Sequence, residues 1–533
     1  AQCCRSSADS TPMRDIMLRP IDRAGYHLSL PDDQNRPPEQ NDSLANDIID
    51  FCSDSPLTGS LKLILDGIGN HNGLADRADL KLFCAPLGLN PKEMTYSLLE
   101  QTIINHYFNQ YDADHFVGRT YPQAWSVLAP YVKTPTQETS EPKKYRASLR
   151  WLAAQLTAGP DIFVLPQWIP VPNQSGSLLI FTFENKDRNL SAEANPPTHT
   201  KYILPGDGAM PSLYVTLALH EVHKNKQERI VVLDYFAGEA SDLFAPDTPP
   251  LTGLEYEHLF ADSLHSVIQS TLGRQEHFSF ITHSAGYYQN LFWLKFYGKT
   301  VDAEGLPYCD RLDAVDEMAG AWMTTTLQRL MTRVSGKKNA SYNSLNAGLI
   351  KILTSGDLET ALKLKNDLLG TLTIGQHSLF ENDFDREQGP YFDDLIMDNE
   401  TITGLIPSQV RYQYTVATND RFIDWDKALV RATLDWGRRE QQPVFTVLVD
   451  PKHSPKHCQK QLINEFCKND ASAEFADASR PDQIIINRGR IDERKITVRW
   501  IEAPTNPGGH FFMLHEEILN LITASAYIQG QDR

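Results

Sequence analysis

The sequence predicts an α/β protein built on a mostly parallel sheet with helices on both faces, and three observations predict it. First, from about residue 145 onward short β-rich runs alternate with helical patterns, the texture of strands joined by crossover helices. The runs are DIFVLPQWIPV, SLLIFTF, KYIL, RIVVLDY, HFSFIT, RYQYTVA and ITVRWIEA. Second, the stretches between them carry helix signals. The one that opens near Thr252 has Thr252 and Glu255 in capping-box spacing, then Leu264, Val267, Ile268, Thr271 and Leu272 on one stripe. Third, 533 residues with 41% hydrophobic content are enough for a large core and for more than one folded unit.

Composition divides the chain. Residues 1–43 are rich in Pro, Asp, Asn and Gln and read as an extended or poorly ordered leader. Residues 44–144 form a mainly helical region of unassigned role, with apolar three- and four-residue steps in LANDIIDFC and YSLLEQTIINHYF. The polar linker KTPTQETSEPKK closes it, and the α/β part takes residues 145–533. Within that part, 321–405 interrupts the sheet with helical patterns such as TLQRLMTRV and LETALKLKNDLL.

The bulk numbers exclude several classes. A net charge of −18 repels phosphate backbones, so nucleic acid is not an expected partner. No apolar run is long enough for a membrane span, and AQCCRSSADS has no signal-peptide core. The seven cysteines are odd in number and irregular in spacing, which argues against a disulfide framework and for a reducing cytoplasm. His453, His457, Cys458 and Cys467 match no zinc-site spacing, so no metal is expected.

The chemistry is concentrated in HFSFITHSAGYYQNLFWLKFYG. An apolar strand runs into Thr282-His283-Ser284-Ala285-Gly286 and then into a helix, the context that gives a nucleophile elbow its meaning. The sharp turn exposes the Ser284 hydroxyl, and small residues two places either side let it close; a serine that only caps a buried helix is the plainer alternative. A hydroxyl needs a base. His510 supplies one, because ITVRWIEAPTNPGGHFFMLHEEILNLI gives a strand, a Pro/Gly turn and His510 before a helix, whereas His515 lies inside the helical pattern. An oxyanion hole needs two backbone N–H groups. Ala285 is expected to give one, and Asp207, in the strand–turn–helix segment KYILPGDGAMPSLYVTLALHE, the other. The carboxylate that orients His510 has two candidates, Asp316 in DRLDAVDEMAG and Asp420 in RYQYTVATNDRFIDW, with Asp450 a distant third. Together these residues predict an α/β-hydrolase fold carrying a serine nucleophile.

Residues from about 145 to 530 resemble the type I thioesterase domains that end polyketide and non-ribosomal peptide assembly lines. The resemblance rests on Pro205-Gly206, on His283 to Gly286, on Asp316 to Gly320, on the late segment ending in Trp425, and most specifically on Gly508-Gly509-His510-Phe511-Phe512-Met513-Leu514. The sequence departs from that family at Thr282, where glycine is usual, and in a long insertion at 437–495. The resemblance implies an acyl-Ser284 intermediate, release of an acyl chain by hydrolysis or cyclisation, and an acyl or peptidyl carrier protein as partner. The acyl chain would arrive on phosphopantetheine, with no other cofactor. It implies Asp316 as the acid, because in that family the acid usually follows the strand after the nucleophile helix. It also makes 321–405 a lid over the acyl channel, with Trp322 and Leu330 facing it. A free-standing esterase or lipase, or an inactive hydrolase fold used for docking, are the alternatives.

Overall fold

The computed structural model describes residues 64–65, 77–94, 96–108, 116–132, 142–174, 176–186, 199–206, 214–234, 253–274, 276–284, 286–320, 406–420, 425–436, 443–468, 472–477, 480–487, 493–504, 509–514 and 516–530. The expected leader at 1–43 and the expected lid at 321–405, with Trp322 and Leu330, lie outside these residues.

Among the described residues one sheet of eleven strands organises the fold. Its strands are β1 (Ile162–Pro170), β2 (Ser177–Asn185), β3 (His199–Leu204), β4 (Glu228–Leu233), β5 (His277–His283), β6 (Leu312–Met318), β7 (Arg411–Ala417), β8 (Val444–Val449), β9 (Ser472–Asp477), β10 (Arg480–Asn487) and β11 (Glu493–Glu502). They lie in the order β1-β2-β4-β3-β5-β6-β7-β8-β11-β10-β9. From β4 through β11 neighbouring strands are parallel. Both margins are antiparallel, β1 and β2 on one side and β10 and β9 on the other. The mostly parallel expectation therefore holds for the centre. β5 is buried along its whole length after His277, as a parallel strand covered on both faces must be. β1, at the edge, alternates instead between buried and part-exposed residues.

Side-chain alternation sends each strand into two cores. Ile230, Val232 and Ile281 join one cluster, with Leu217 and Val222 of the helix Val215–Lys224 and Ile518 and Leu519 of the helix Glu516–Gly530. Val231, Phe278 and Phe280 join the other, with Leu264, Val267 and Ile268 of the helix Gly253–Thr271 and Trp293 of the helix Gly286–Tyr297. The stripe read from the sequence after Thr252 is thus the buried face of its helix.

Two features were not expected. The boundary after residue 144 falls inside the helix Pro142–Ala158. That helix is stitched to the sheet edge by Trp151, whose Nε1 donates to the Val164 carbonyl at 2.6 Å. In addition, the 437–495 insertion is part of the sheet. It contributes β8, the helix Pro455–Lys468, β9 and β10, and it places β8 between β7 and β11. His457, Cys458 and Cys467 sit on that helix, with Cys458 buried and Cys467 exposed. Among the described residues no cluster of His, Cys, Asp or Glu is placed to hold a metal, and no helix is long and apolar enough to cross a membrane.

Candidate active site

The turn between β5 and the helix Gly286–Tyr297 has the geometry of an elbow. Ser284 sits at φ +50°, a left-handed conformation that a residue with a Cβ adopts only where its surroundings enforce it. The enforcing contacts are visible. Ser284 N–H donates to the Met318 carbonyl at the end of β6 (3.1 Å), and Tyr287 N–H closes the turn on the Ser284 carbonyl (3.3 Å). A Cβ on Gly286 would lie 2.4 Å from the Leu204 carbonyl oxygen and 2.8 Å from that of Pro205, so only glycine lets the end of β3 pack against the turn. Thr282, where the resembled family has glycine, is fully buried in β5, with no hydrogen-bond partner for its Oγ1 among the described residues.

The other side of the turn is closed by the segment after β3. A Cβ on Gly206 would stand 3.2 Å from Ser284 Cβ and 3.0 Å from His283 Nδ1, so the Pro205-Gly206 backbone lies directly against the nucleophile. Gly206 N–H is committed elsewhere, donating to Tyr214 Oη at 2.7 Å. That leaves the Gly206 N–H unavailable as an oxyanion donor. Asp207 and Ala285 themselves lie outside the described residues.

Strand register separates the two candidate acids. Asp316 is aligned with Ile281, three residues before Ser284, so it lies about 10 Å down the strand from the elbow. It is half-buried, and its Oδ1 is shielded from solvent with no hydrogen-bond partner. Burial pushes its carboxyl above the ordinary range, against the pull of Arg411. Asp420 lies in the turn just beyond β7, its N–H donating to the Ala417 carbonyl (3.0 Å), and is 9% exposed. Thr415 of β7 pairs with Met318, whose carbonyl holds Ser284 N–H, so this turn stands beyond the end of β6, at the elbow's end of the sheet. Asp450 is absorbed in a turn of its own, its Oδ1 accepting from Lys452 N–H at 2.8 Å.

His510 lies in the short 3₁₀ turn Gly509–Leu514 that follows β11; its side chain lies outside the described residues. The backbone of that turn is well determined by its neighbours. Gly509 adopts φ +59°, and a Cβ there would stand 3.2 Å from the Asn419 carbonyl oxygen. Phe512 and Met513 are fully buried and pin the turn into the core. The structure thus brings the segment carrying His510 against the residue preceding Asp420.

Sequence reasoning missed two groups around this site. Tyr214 gave no signal, because a tyrosine before a helix is ordinary. Glu317, fully buried at the end of β6, accepts a hydrogen bond from the Tyr412 hydroxyl, and a Cβ on Gly320 would overlap it. The resemblance read Asp316 to Gly320 as an acid followed by a small turn, and the tight packing of Glu317 is the physical need for that small residue.

No family model matches the chain, and no curated protein matches it. Solved structures give partial likenesses at low identity. A thermophilic esterase from Thermogutta terrifontis is 14% identical with a TM-score of 0.33, over 57% of this chain and 98% of its own. A meta-cleavage product hydrolase from Pseudomonas fluorescens IP01 is 12% identical with a TM-score of 0.34, over 57% and 98%. A thermostable carboxyl esterase from Bacillus coagulans is 11% identical with a TM-score of 0.32, over 58% and 98%.

Proposed function

We propose that this protein is a serine hydrolase of the α/β-hydrolase type that moves acyl groups through an ester on Ser284. The observation that carries the proposal is Ser284 at φ +50° between a buried parallel strand and a buried helix, with Gly286 packed where no Cβ fits and Gly206 in close contact with the turn. A protein does not hold a serine in such strain for capping, which an ordinary extended conformation serves.

In the proposed cycle His510 takes the Ser284 proton as Oγ attacks the acyl carbonyl. The oxyanion rests on the N–H groups of Ala285 and Asp207, and His510 returns the proton to the leaving group. Water, or a nucleophile within the acyl chain, then attacks the acyl-enzyme. The acid we assign is Asp420. Register along the sheet supports it over Asp316, reversing the preference that the family resemblance suggested, because the Gly509-His510 backbone lies on the Asn419 carbonyl. The leaving group we assign is a thiol, the phosphopantetheine arm of a carrier protein; its support is the Gly508 to Leu514 segment.

A fluorophosphonate probe tests the chemistry: it should label Ser284 and no other serine, and the label should vanish in Ser284→Ala. Labelling elsewhere, or none on folded protein, removes the proposal. Matched acyl thioesters and oxygen esters test the leaving group. A higher kcat/KM for carrier-borne or cysteamine thioesters supports the carrier reading, and a higher value for oxygen esters replaces it with an esterase.

A further inference from the structure

Tyr214 is buried without any solvent exposure, at the residue preceding the helix Val215–Lys224. Its hydroxyl touches both halves of the candidate site. It accepts from Gly206 N–H at 2.7 Å, in the loop after β3, and lies 2.9 Å from Nδ1 of His283, the residue before the nucleophile. The rings of Tyr214 and His283 meet edge to face, with centroids 5.8 Å apart. His283 is itself only 2% exposed.

The proton positions follow from satisfying each atom. Gly206 N–H can only donate, so the Tyr214 oxygen accepts and its own proton is left to place. Burial raises the Tyr214 phenol well above its ordinary value, so the proton stays on oxygen. Among the described residues the acceptor in reach is His283 Nδ1. With Nδ1 as the acceptor the ring proton sits on Nε2, and Gly206 N–H, Tyr214 O–H and His283 form a directed chain. An edge-to-face ring contact adds stiffness to that chain without changing its direction.

We infer that Tyr214 is a positioning residue which ties the loop after β3 to the nucleophile elbow and so sets the spacing of the two oxyanion-hole N–H groups. This rests on the Ser284 reading above. The physical need is plain. The two donors come from separate segments, one following β3 and the other following β5, and an oxyanion hole works only if both aim at one point before charge develops. The strands fix the two segments as far as Leu204 and Thr282, which are paired neighbours. Beyond that pairing, the Tyr214 hydroxyl adds a hydrogen-bonded cross-link to the close packing of Gly206 and Gly286.

The test compares the full-length chain with Tyr214→Phe, which keeps the ring and removes the bridge. Removing an oxyanion donor outright costs about a hundredfold to a thousandfold in kcat. Misplacing one should cost about tenfold to a hundredfold, with KM nearly unchanged. A trifluoromethyl ketone that adds to Ser284 should lose affinity by the same factor as kcat/KM, because it too makes an oxyanion, while the final extent of fluorophosphonate labelling stays complete. A purely structural role would lower the labelled fraction instead. His283→Phe should cause a similar loss, and the double variant should lose no more than either single one. Nitrogen NMR of the unsubstituted protein gives a measurement that needs no variant: His283 should be the Nε2–H tautomer with Nδ1 an acceptor. A Nδ1–H tautomer, or unchanged kcat and ketone affinity in folded Tyr214→Phe, overturns the inference while Ser284 labelling stands. Failure of the unsubstituted protein to label overturns the Ser284 reading and this inference with it.

Discussion

At the scale of single residues, Ser284 separates strain from chemistry. A left-handed φ in a residue with a Cβ costs about 1–3 kcal/mol, and the cost lies in the backbone rather than in the hydroxyl. Ser284→Ala should therefore abolish activity without relieving strain, and Ser284→Gly should abolish activity while relieving it. Glycine also loses about 0.5–1 kcal/mol through its freer unfolded chain, so the net gain over alanine should be about 1 kcal/mol. Urea unfolding of the two inactive variants measures it directly. An alanine variant as stable as the glycine variant would mean that the turn is not strained.

The two aspartates differ at the same scale. Asp420→Asn should lower kcat by up to about ten-thousandfold, the value of an acid that fixes a histidine tautomer, and Asp316→Asn should leave turnover near normal. A reversal of those results restores Asp316 as the acid. Asp316 carries a second signature. Its carboxyl is raised by burial, so it contributes to stability below its unfolded value and loses that contribution as pH rises through the higher folded value. Asp316→Asn should therefore raise the melting temperature at pH 8 and give little gain at pH 4. The sequence could not choose between these residues. Both end apolar runs, and which one stands level with the elbow depends on strand register, a property of the assembled sheet. Ser284 was legible because its turn is signalled locally, by an apolar strand, a small-residue pair and a helix in one stretch of chain. Tyr214 was not, because its partners Gly206 and His283 are 8 and 69 residues away.

At the scale of elements, the strands with apolar runs were legible from β1 through β7 and at β11. β9 and β10 were not, since SAEFAD and RPDQIIIN carry charges within the run and sit at a sheet margin. The insertion of β8 between β7 and β11 was equally hidden, because parallel neighbours need not be consecutive in the chain. What fixes a helix to the sheet is also partly non-local. Lys201 of β3 bridges Glu221 of the helix Val215–Lys224 at 2.6 Å and Glu228 of β4 at 2.7 Å. Burial would raise the Glu221 carboxyl, but Lys201 and Lys224 overcome it and hold the group at about 2. A depressed carboxyl stabilises the fold above its unfolded value of about 4.3 and loses that contribution as pH falls toward about 2. Glu221→Gln should cost about 2 kcal/mol at pH 7, less than a fully orphaned buried charge because Lys201 keeps Glu228. The cost should shrink at pH 3. Denaturant unfolding at the two values decides it, and an equal loss at both would show that the pair is not the source.

At the scale of the whole molecule, the described helices before residue 133 and the sheet share one core. Leu80, Phe83, Leu99, Ile103, Tyr107 and Leu128 belong to the same apolar cluster as Trp151, Val164, Phe181 and Ile230. The sequence suggested a separable helical region because its composition changes at the polar linker, and composition reports the surface of a linker rather than what packs beneath it. A shared core has a thermodynamic consequence: removing contacts on the helical side should loosen the candidate active site by the same free energy. Leu99 is a sharp probe, since it is fully buried and carries no polar group. Leu99→Ala should cost about 2–5 kcal/mol through lost transfer energy and the cavity left behind. In one cooperative unit, calorimetry shows a single transition shifted down, and the temperature at which Ser284 ceases to take a fluorophosphonate label shifts with it. If the helices and the sheet unfold independently, the variant splits the transition and the labelling midpoint stays where it was. The second outcome would restore two separable units and confine the cluster to a docking contact. The first would mean that the helical residues belong to the structure that holds Ser284 in its strained turn.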